Sequence, residues 1–315
     1  MKALVTGGAG FIGSHLTEAL VHRGHRVRVL DDLSSGTLRN LVSVKDRVEF
    51  IRGDIRNHRL VGRAVKGMDV VFHQAALRSV PKSVEDPVSF HEVNVTATLQ
   101  LFLAARAAKV KRVVYASSSS VYGECPKPQI ESKLTIPLSP YACSKLADEI
   151  YGKMFTRLYG LETVGLRYFN VFGPRQSLEN EYAVVIPKFI VCYLKNQPPP
   201  IHGDGLQTRD FTYVENVVQA NLKAAASRKA AGHVFNVASG TSHSVKELAD
   251  LIRRHLKSDI KPVHTPTRRG DVRHTCGDPQ LAGKLLGFRV TVPFLEGLKR
   301  TIAWFQEHPE TWTGR

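Results

Sequence analysis

Hydrophobic residues in the first half of the chain alternate between short apolar runs and longer stretches with a helical period. The runs are rich in β-branched residues and predict buried strands. The predicted strands are Lys2–Thr6, Arg26–Leu30, Val48–Arg52, Asp69–His73, Val113–Ser117 and Glu162–Tyr168. The predicted helices are Gly13–Arg23, Arg59–Val65, Pro87–Ala108 and Tyr141–Tyr159. Strands separated by helices predict right-handed βαβ units and an α/β fold, with a doubly wound, mostly parallel sheet.

The rhythm changes after Gly173. Proline and glycine clusters at 198–200 and 203–205 punctuate shorter elements, and no low-complexity linker marks a boundary. One further strand, Val234–Val237, and two helices, Val245–Leu256 and Val292–Glu307, are predicted. We therefore expect residues 1–173 to form a Rossmann-like domain, with a strand returning near 234–238. Residues 174–315 are expected to form most of a smaller, interleaved α/β cap.

Composition describes an ordinary globular chain of 315 residues, 43% of them hydrophobic. No apolar stretch approaches the roughly 20 residues of a membrane span, and no long apolar segment follows Met1. The four cysteines are far apart without metal-type spacing, so we expect reduced thiols, no metal site and a cytoplasmic protein. The formal charge is +16, but Lys and Arg are spread along the chain. This spread favours an anionic small-molecule substrate over nucleic acid or a lipid surface, although a basic surface that binds either stays open.

A glycine-rich segment joins the first predicted strand to the first helix. Its glycines, Gly7, Gly10 and Gly13, have the spacing GxxGxxG rather than GxGxxG. Glycine permits the tight turn and the close approach of a pyrophosphate, while a helix N-terminus offers free N–H groups. The segment, including Phe11 and Ile12, predicts a dinucleotide site; a purely structural turn is the alternative.

Acidic residues follow the next two strands. Asp31 ends the second strand, where a carboxylate can accept hydrogen bonds from a ribose diol and would repel a 2′-phosphate. NAD is therefore favoured over NADP. Asp54 and Ile55 end the third strand and are expected to flank the adenine.

A tyrosine and a lysine four residues apart open a predicted helix behind Pro140. Tyr141 and Lys145 lie on one helix face, where an ammonium and an oxidised nicotinamide would lower the phenol's pKa. A serine segment at 117–120 follows an earlier strand, and a hydroxyl there can share a proton with Tyr141. A chance YxxxK pattern and a serine-rich turn are the alternative readings.

Together these segments resemble the extended short-chain dehydrogenases/reductases, specifically the nucleoside-diphosphate-sugar 4-epimerases. The resemblance covers nearly the whole chain. Its motifs are TGGAGFIG at 6–13, HQAA at 73–76, SSSSVYG at 117–123, SPYACSK at 139–145, RYFNVFG at 167–173, RDF at 209–211 and RRGDVRH at 268–274.

The resemblance implies a role for each part of the site. Tyr141 would be the base at the sugar 4-OH, Ser118 its hydrogen-bond partner and Lys145 the residue that holds the nicotinamide ribose. Bound NAD would oxidise carbon 4 and then reduce the other face of the 4-keto sugar. Residues implied to line the NAD site, besides the glycine loop and the catalytic pair, are Asp31, Asp54, Ile55, Ala75, Arg78, Asn94 and Tyr168; relatives often have lysine at position 78. Residues implied to contact the nucleotide sugar are Ser79, Ser117, Ser118, Asn170, Val185, Arg209, Arg268, Asp271 and Thr275.

Departures from related enzymes narrow the activity. Dehydratases carry Thr-Asp-Glu where this chain has Ser118, Ser119 and Ser120, so elimination of water lacks its proton carriers. Glucose-restricted epimerases tend to have tyrosine at the position of Thr275, and a small residue there leaves room for an N-acetyl group. The expected activity is interconversion of UDP-GlcNAc and UDP-GalNAc, and of UDP-Glc and UDP-Gal.

Several alternatives remain open. UDP-glucuronate 4-epimerases share the SSSSVYG segment, a net dehydrogenase would share the cofactor and the Tyr/Lys pair, and a non-catalytic NAD-binding protein would keep the glycine loop alone. Relatives also commonly dimerise through two helices per subunit. A homodimer through Pro87–Ala108 and Tyr141–Tyr159 is therefore expected by analogy.

Overall fold

The computed structural model describes residues 1–178, 185–267 and 272–313. Its strands are β1 Lys2–Thr6, β2 Arg26–Asp31, β3 Val48–Arg52, β4 Val70–His73, β5 Arg112–Ser118, β6 Glu162–Tyr168, β7 Val171–Phe172, β8 Pro200–His202, β9 Thr208–Arg209, β10 Thr212–Tyr213, β11 Val234–Val237, β12 His243–Ser244 and β13 Val263–Thr265. Seven of them form one sheet in the order β11-β6-β5-β4-β1-β2-β3, with every neighbouring pair parallel. The predicted doubly wound α/β fold is therefore confirmed. Strand order reverses between β1 and β4, which opens a crevice at the carboxyl ends of these strands.

Helices cover both faces of this sheet. They are α1 Phe11–His22, α2 His58–Val65, α3 Val80–Glu85, α4 Pro87–Phe90, α5 Ala97–Ala107, α6 Pro140–Tyr159, α7 Val185–Leu194, α8 Val214–Ala226, α9 Val245–His255, α10 Gln280–Leu286 and α11 Phe294–Glu307. The apolar faces of α1, α8 and α10 pack on one side of the sheet, and those of α2, α5 and α6 pack on the other.

The single predicted helix Pro87–Ala108 is interrupted in the structure. A π-helical segment, His91–Thr96, separates α4 from α5. Asn94 lies in this segment, and its side chain bonds outward to the backbone of Leu77 and to the Ser144 hydroxyl. Such wide turns are often found at functional sites.

A second apolar core lies beyond the sheet. It gathers residues of α7, α9 and α11 around Phe172 and Phe211, whose rings meet edge to face. Ile12 and Val171 pack against both this core and the sheet core. β11 returns to the edge of the main sheet as expected, while the division into residues 1–173 and 174–315 stays a prediction.

Neither a membrane-spanning helix nor a disulfide occurs among the described residues. Within the residues described, no helix has the length and apolarity needed to cross a bilayer. The four cysteines, all of which are described, are unpaired thiols.

Candidate active site

A cleft of about 1100 Å³ runs along the carboxyl ends of the sheet strands and beneath the second core. Most of the candidate site residues line this cleft. These are Gly7, Gly10, Phe11, Ile12, Gly13, Asp31, Asp54, Ile55, Ala75, Arg78, Ser79, Ser117, Ser118, Tyr141, Lys145, Tyr168, Asn170, Val185, Arg209 and Thr275. Arg268 and Asp271 lie outside the described residues. The remaining candidate, Asn94, does not line the cleft.

The glycine loop is shaped by close backbone contacts. Gly7 has φ +66°, and a Cβ there would lie 2.7 Å from the Ala75 nitrogen. A Cβ at Gly13 would overlap the Gly7 carbonyl. The N-cap of α1 is Gly10, which provides no side chain to satisfy the first N–H groups of the helix. The uncapped helix end therefore opens on the cleft as an anion site, which fits a dinucleotide pyrophosphate.

Asp31 is tied to the glycine loop. Its carboxylate accepts hydrogen bonds from the backbone N–H of Ala9 and of Leu33, both at 2.8 Å, and the side chain is almost buried. Burial raises the pKa of Asp31, while these hydrogen bonds oppose the rise. The acid is thus positioned at the end of β2, where the sequence predicts a ribose contact.

The acid at the end of β3 has a partner that the sequence did not reveal. Arg56 binds the Asp54 carboxylate with Nη2 at 2.6 Å and Nε at 2.9 Å. These hydrogen bonds lower the pKa of Asp54. Because Arg56 is half exposed, the pair mainly fixes the carboxylate in place rather than stabilising the fold.

Asn94 and Tyr168 brace the cleft through polar contacts. The Asn94 carbonyl accepts the Leu77 N–H at 2.8 Å, and its amide donates to the Ser144 hydroxyl at 3.0 Å. Asn94 therefore joins the 74–79 segment to α6 from behind the cleft wall. The Tyr168 hydroxyl accepts from the Asn221 amide at 2.8 Å, and burial raises the pKa of this phenol.

The predicted catalytic pair lies in the first two turns of α6. Ser139 caps the helix by accepting the Ala142 N–H at 3.2 Å, and Pro140 occupies its first position. The Tyr141 ring meets the Phe90 ring edge to face, with the centroids 6.4 Å apart. Lys145 is 3% exposed.

The two serines at the end of β5 have different environments. The Ser118 oxygen accepts hydrogen bonds from the Ser120 hydroxyl at 2.8 Å and from the Ser120 N–H at 3.2 Å. Ser117, by contrast, donates its hydroxyl to the Glu149 carboxylate at 2.6 Å. The Ser117 hydroxyl is therefore engaged behind the cleft, whereas among the described residues Ser118 only accepts hydrogen bonds and donates none.

A buried ion pair supports this strand. Arg167 donates to both oxygens of Glu149, at 2.8 and 2.7 Å, and its guanidinium lies over the Tyr122 ring. No sequence pattern indicates this pair, because Glu149 and Arg167 meet only through the packing of α6 on β6.

The far end of the cleft carries the predicted sugar-nucleotide contacts. The Thr275 hydroxyl accepts from the Asn170 amide and from the Asp210 N–H, both at 3.3 Å. Asp210 is fully buried and binds the backbone N–H groups of Ser239, Gly240 and Gly277. The segment with Thr275 is therefore held from two sides.

Gln129 is a further residue of the cleft that sequence reasoning missed. Its side-chain oxygen accepts a hydrogen bond from the Cys276 N–H at 2.7 Å, and the Gln129 backbone N–H donates to the Cys276 carbonyl at 2.8 Å. No motif marks this glutamine, which lies in an irregular segment far from Thr275 in sequence. It fixes the wall next to Thr275.

Comparisons with known proteins show what the chain is similar to. The model of the NAD dependent epimerase/dehydratase family matches residues 3–238. A UDP-glucose 4-epimerase of Mycolicibacterium smegmatis is 40% identical over 97% of this chain and 99% of its own length. The structure of a UDP-N-acetylglucosamine 4-epimerase from Methanobrevibacter ruminantium, in complex with UDP-N-acetylmuramic acid, superposes with a TM-score of 0.93, at 41% identity and 98% coverage of both chains. A UDP-glucose 4-epimerase of Thermus thermophilus in complex with NAD superposes with a TM-score of 0.90, at 38% identity, covering 97% of this chain and 99% of that one.

Proposed function

The chain belongs to the NAD-dependent epimerase/dehydratase family, and from that premise we propose that it is a UDP-hexose 4-epimerase. The proposed reaction interconverts UDP-GlcNAc and UDP-GalNAc, and also UDP-Glc and UDP-Gal, through a transient 4-keto sugar. The observation that carries this proposal is the set of Ser118, Tyr141 and Lys145, which line one cleft together with the glycine loop.

Different residues of the cleft are suited to different parts of the cofactor. The end of α1 is suited to the pyrophosphate, Asp31 to a ribose diol, and Lys145 to the ribose at the nicotinamide end. When NAD is bound, it supplies the hydride acceptor and donor for carbon 4.

Residues of the protein carry out the proton transfer. Tyr141 takes the proton of the sugar 4-OH as the alcohol is oxidised, and returns it when the ketone is reduced on the opposite face. Ser118 donates a hydrogen bond to the same sugar oxygen, because its own oxygen already accepts two hydrogen bonds from Ser120. The Lys145 ammonium stabilises the phenolate of Tyr141.

Dehydration is disfavoured at this site. Elimination of water across carbons 5 and 6 needs an acid and a base beside the serine that contacts the 4-OH. The segment after β5 offers the hydroxyls of Ser119 and Ser120 instead. UDP-glucuronate 4-epimerisation, which uses the same serine segment, is the alternative that the experiment below distinguishes.

Thr275 supports the acceptance of N-acetylated sugars. Its side chain is small and polar, and it lines the cleft. Hydrogen bonds from the Asn170 amide and the Asp210 N–H hold it in place. We assign it to the C2 substituent of the hexose. The similarity to a UDP-N-acetylglucosamine 4-epimerase supports the same assignment.

Exposed apolar side chains on the helices support a homodimer. Val88 on α4 and Ile150 and Leu158 on α6 are each more than 60% exposed. These helices are the ones through which dimerisation was expected, and pairing with a second copy would bury the exposed groups. Light scattering would show a dimer that Ile150→Asp converts to a monomer. A monomeric wild-type protein would contradict this part of the proposal. We also propose a cytoplasmic location, which the unpaired cysteines support.

The activity is tested by incubating the enzyme with UDP-GlcNAc, UDP-Glc and UDP-GlcA in separate reactions with NAD, followed by chromatography of the sugars. The proposal expects the C4 epimer from the first two substrates, with no stoichiometric accumulation of reduced cofactor. Tyr141→Phe serves as the inactive control. Conversion of UDP-GlcA alone would replace the proposal with the glucuronate reading, and stoichiometric reduction of NAD would replace it with a dehydrogenase.

A further inference from the structure

Asp148 brings a buried carboxylate against the catalytic lysine. It lies three residues beyond Lys145 on α6, is 1% exposed, and its Oδ2 lies 3.2 Å from the lysine Nζ. The second oxygen, Oδ1, is buried without a hydrogen-bond partner among the described residues. An ionised carboxylate with an unsatisfied buried oxygen is costly, and taking up a proton relieves that cost.

The groups around Asp148 are contributed by several elements. Glu149 on α6 is the nearest like charge, and it is held by Arg167 of β6. The phenol of Tyr115 on β5 also interacts electrostatically with the carboxylate. The Thr98 hydroxyl on α5 stabilises the ionised form of Asp148 and so opposes the rise of its pKa. His73 on β4 interacts electrostatically with Lys145, and its Nε2 lies 2.9 Å from the Thr98 hydroxyl oxygen.

Most of these neighbours keep one charge state near neutral pH. Burial lowers the pKa of His73 to about 3, so it is neutral. Burial raises the pKa of Tyr115 well above its usual value, so it is neutral as well. Burial also raises the pKa of Asp148, to about 7, although the nearby Lys145 ammonium opposes the rise. Asp148 is therefore the shifted group whose charge changes in the physiological range.

We propose that Asp148 is a positioning residue for Lys145 that carries an exchangeable proton, holding the ammonium in place and setting the net charge at the nicotinamide end of the cleft. As the pH rises through neutrality, Asp148 loses its proton and the Lys145–Asp148 pair goes from a net charge of +1 to zero. The inference rests on the part of the proposed function that places Lys145 at the nicotinamide ribose.

The charge of this pair has a consequence for the cofactor. The oxidised nicotinamide ring is positively charged and the reduced ring is neutral, so an ionised Asp148 favours the oxidised form. Charges on neighbouring groups in a partly buried site interact more strongly than they would in bulk water, because the effective dielectric constant there is lower. We therefore expect an ionised Asp148 to shift the reduction equilibrium of bound NAD by about threefold to tenfold.

The experiment measures the potential of enzyme-bound NAD against redox dyes, over about pH 5.5 to 8.5, in holoenzyme without sugar. It compares Tyr141→Phe with Tyr141→Phe/Asp148→Asn, because the tyrosine substitution removes the phenol that the proposed mechanism uses as a base beside the nicotinamide. Asparagine keeps an oxygen for the lysine ammonium but carries no charge. The two proteins should agree at the acid end. At the alkaline end the protein with Asp148 should be harder to reduce, by up to tenfold, which is about 30 mV for a two-electron couple.

Two controls keep the result interpretable. Asp250→Asn in the same background removes a half-exposed carboxylate from α9 and should leave the potential unchanged. Should the double variant fail to fold, Tyr141→Phe alone still decides, since its potential relative to free NAD must move across neutrality. A pH-independent difference, or equal potentials throughout, would overturn the inference. Because no arm contains sugar, failure of the proposed epimerase activity would be visible separately.

Discussion

The Ser120 hydroxyl donates a hydrogen bond of 2.8 Å to the Ser118 oxygen. With the Ser120 N–H bonded to the same atom, the Ser118 oxygen is filled as an acceptor and its proton is directed elsewhere. In the proposed reaction that proton contacts the oxygen on carbon 4 of the sugar. Ser120 thus orients the donor without itself touching the reacting atoms.

This arrangement predicts unequal effects of two serine substitutions. Ser118→Ala should lower kcat by about 100-fold or more, because it removes a donor at the oxygen that changes charge. Ser120→Ala should lower kcat by less than about tenfold, because the backbone N–H still orients Ser118. Steady-state rates for both variants decide the point. Ser117→Ala is the contrasting variant, since its hydroxyl binds Glu149 and its loss should appear as lower thermal stability. Equal losses of kcat at positions 118 and 120 would contradict the assigned roles.

Thr275 provides a prediction about substrate choice. Thr275→Tyr should lower kcat/KM for UDP-GlcNAc by about 100-fold, because the ring fills the space assigned to the acetyl group. The same variant should keep kcat/KM for UDP-Glc within about threefold of the wild-type value. Parallel assays of the two substrates give the ratio.

Thr275→Val is the matched control, because valine has a similar size but cannot accept the hydrogen bonds from Asn170 and Asp210. It should affect both substrates alike. If tyrosine depresses both substrates equally, Thr275 does not determine specificity.

Two histidines with lowered pKa values, the buried His73 and the partly buried His15, predict a loss of stability in acid. Burial lowers the pKa of His15 to about 4, with Arg175 adding to the effect, and burial lowers that of His73 to about 3. A histidine whose folded pKa lies below its unfolded value of about 6.5 contributes full stability above that value, which is lost as the pH falls toward the folded pKa. Between about pH 7.5 and 5.0, each histidine should cost about 2 kcal/mol of unfolding free energy.

Urea unfolding of the holoenzyme at both pH values measures this loss. His15→Gln should lose about 2 kcal/mol less than the wild-type protein over the same interval. His58→Gln, at an exposed position on α2, should behave like wild type. An unchanged pH dependence in His15→Gln would show that this ring is protonated in the folded state.

The main sheet was predictable because its strands have a clear sequence pattern. Runs such as Lys2–Thr6 and Glu162–Tyr168 are apolar and β-branched, and they agree with the observed bounds. The helices α7 and α8 were not predicted, since they lie among proline and glycine signals that suggested irregular chain. The π-helical interruption at His91–Thr96 depends on contacts of Asn94 with distant residues, which no local pattern displays.

The site was predictable where a motif fixes the chemistry, and it was not where burial decides it. Tyr141 and Lys145 are recognisable from their spacing. Asp148 has the same spacing to Lys145 as many surface pairs on helices, and only the packing of α6 on the sheet makes the pair buried. Gln129 likewise becomes part of the site only when the chain returns at Cys276.

The most direct test of the account follows the hydrogen on carbon 4. UDP-GlcNAc carrying deuterium at that carbon is converted in ordinary water, and the product is analysed by NMR and mass spectrometry. Transfer to bound NAD and back predicts that UDP-GalNAc retains the deuterium on carbon 4, and that Tyr141→Phe abolishes its formation. Inversion with exchange of the deuterium for solvent hydrogen, or no inversion by the wild-type enzyme, would contradict the account.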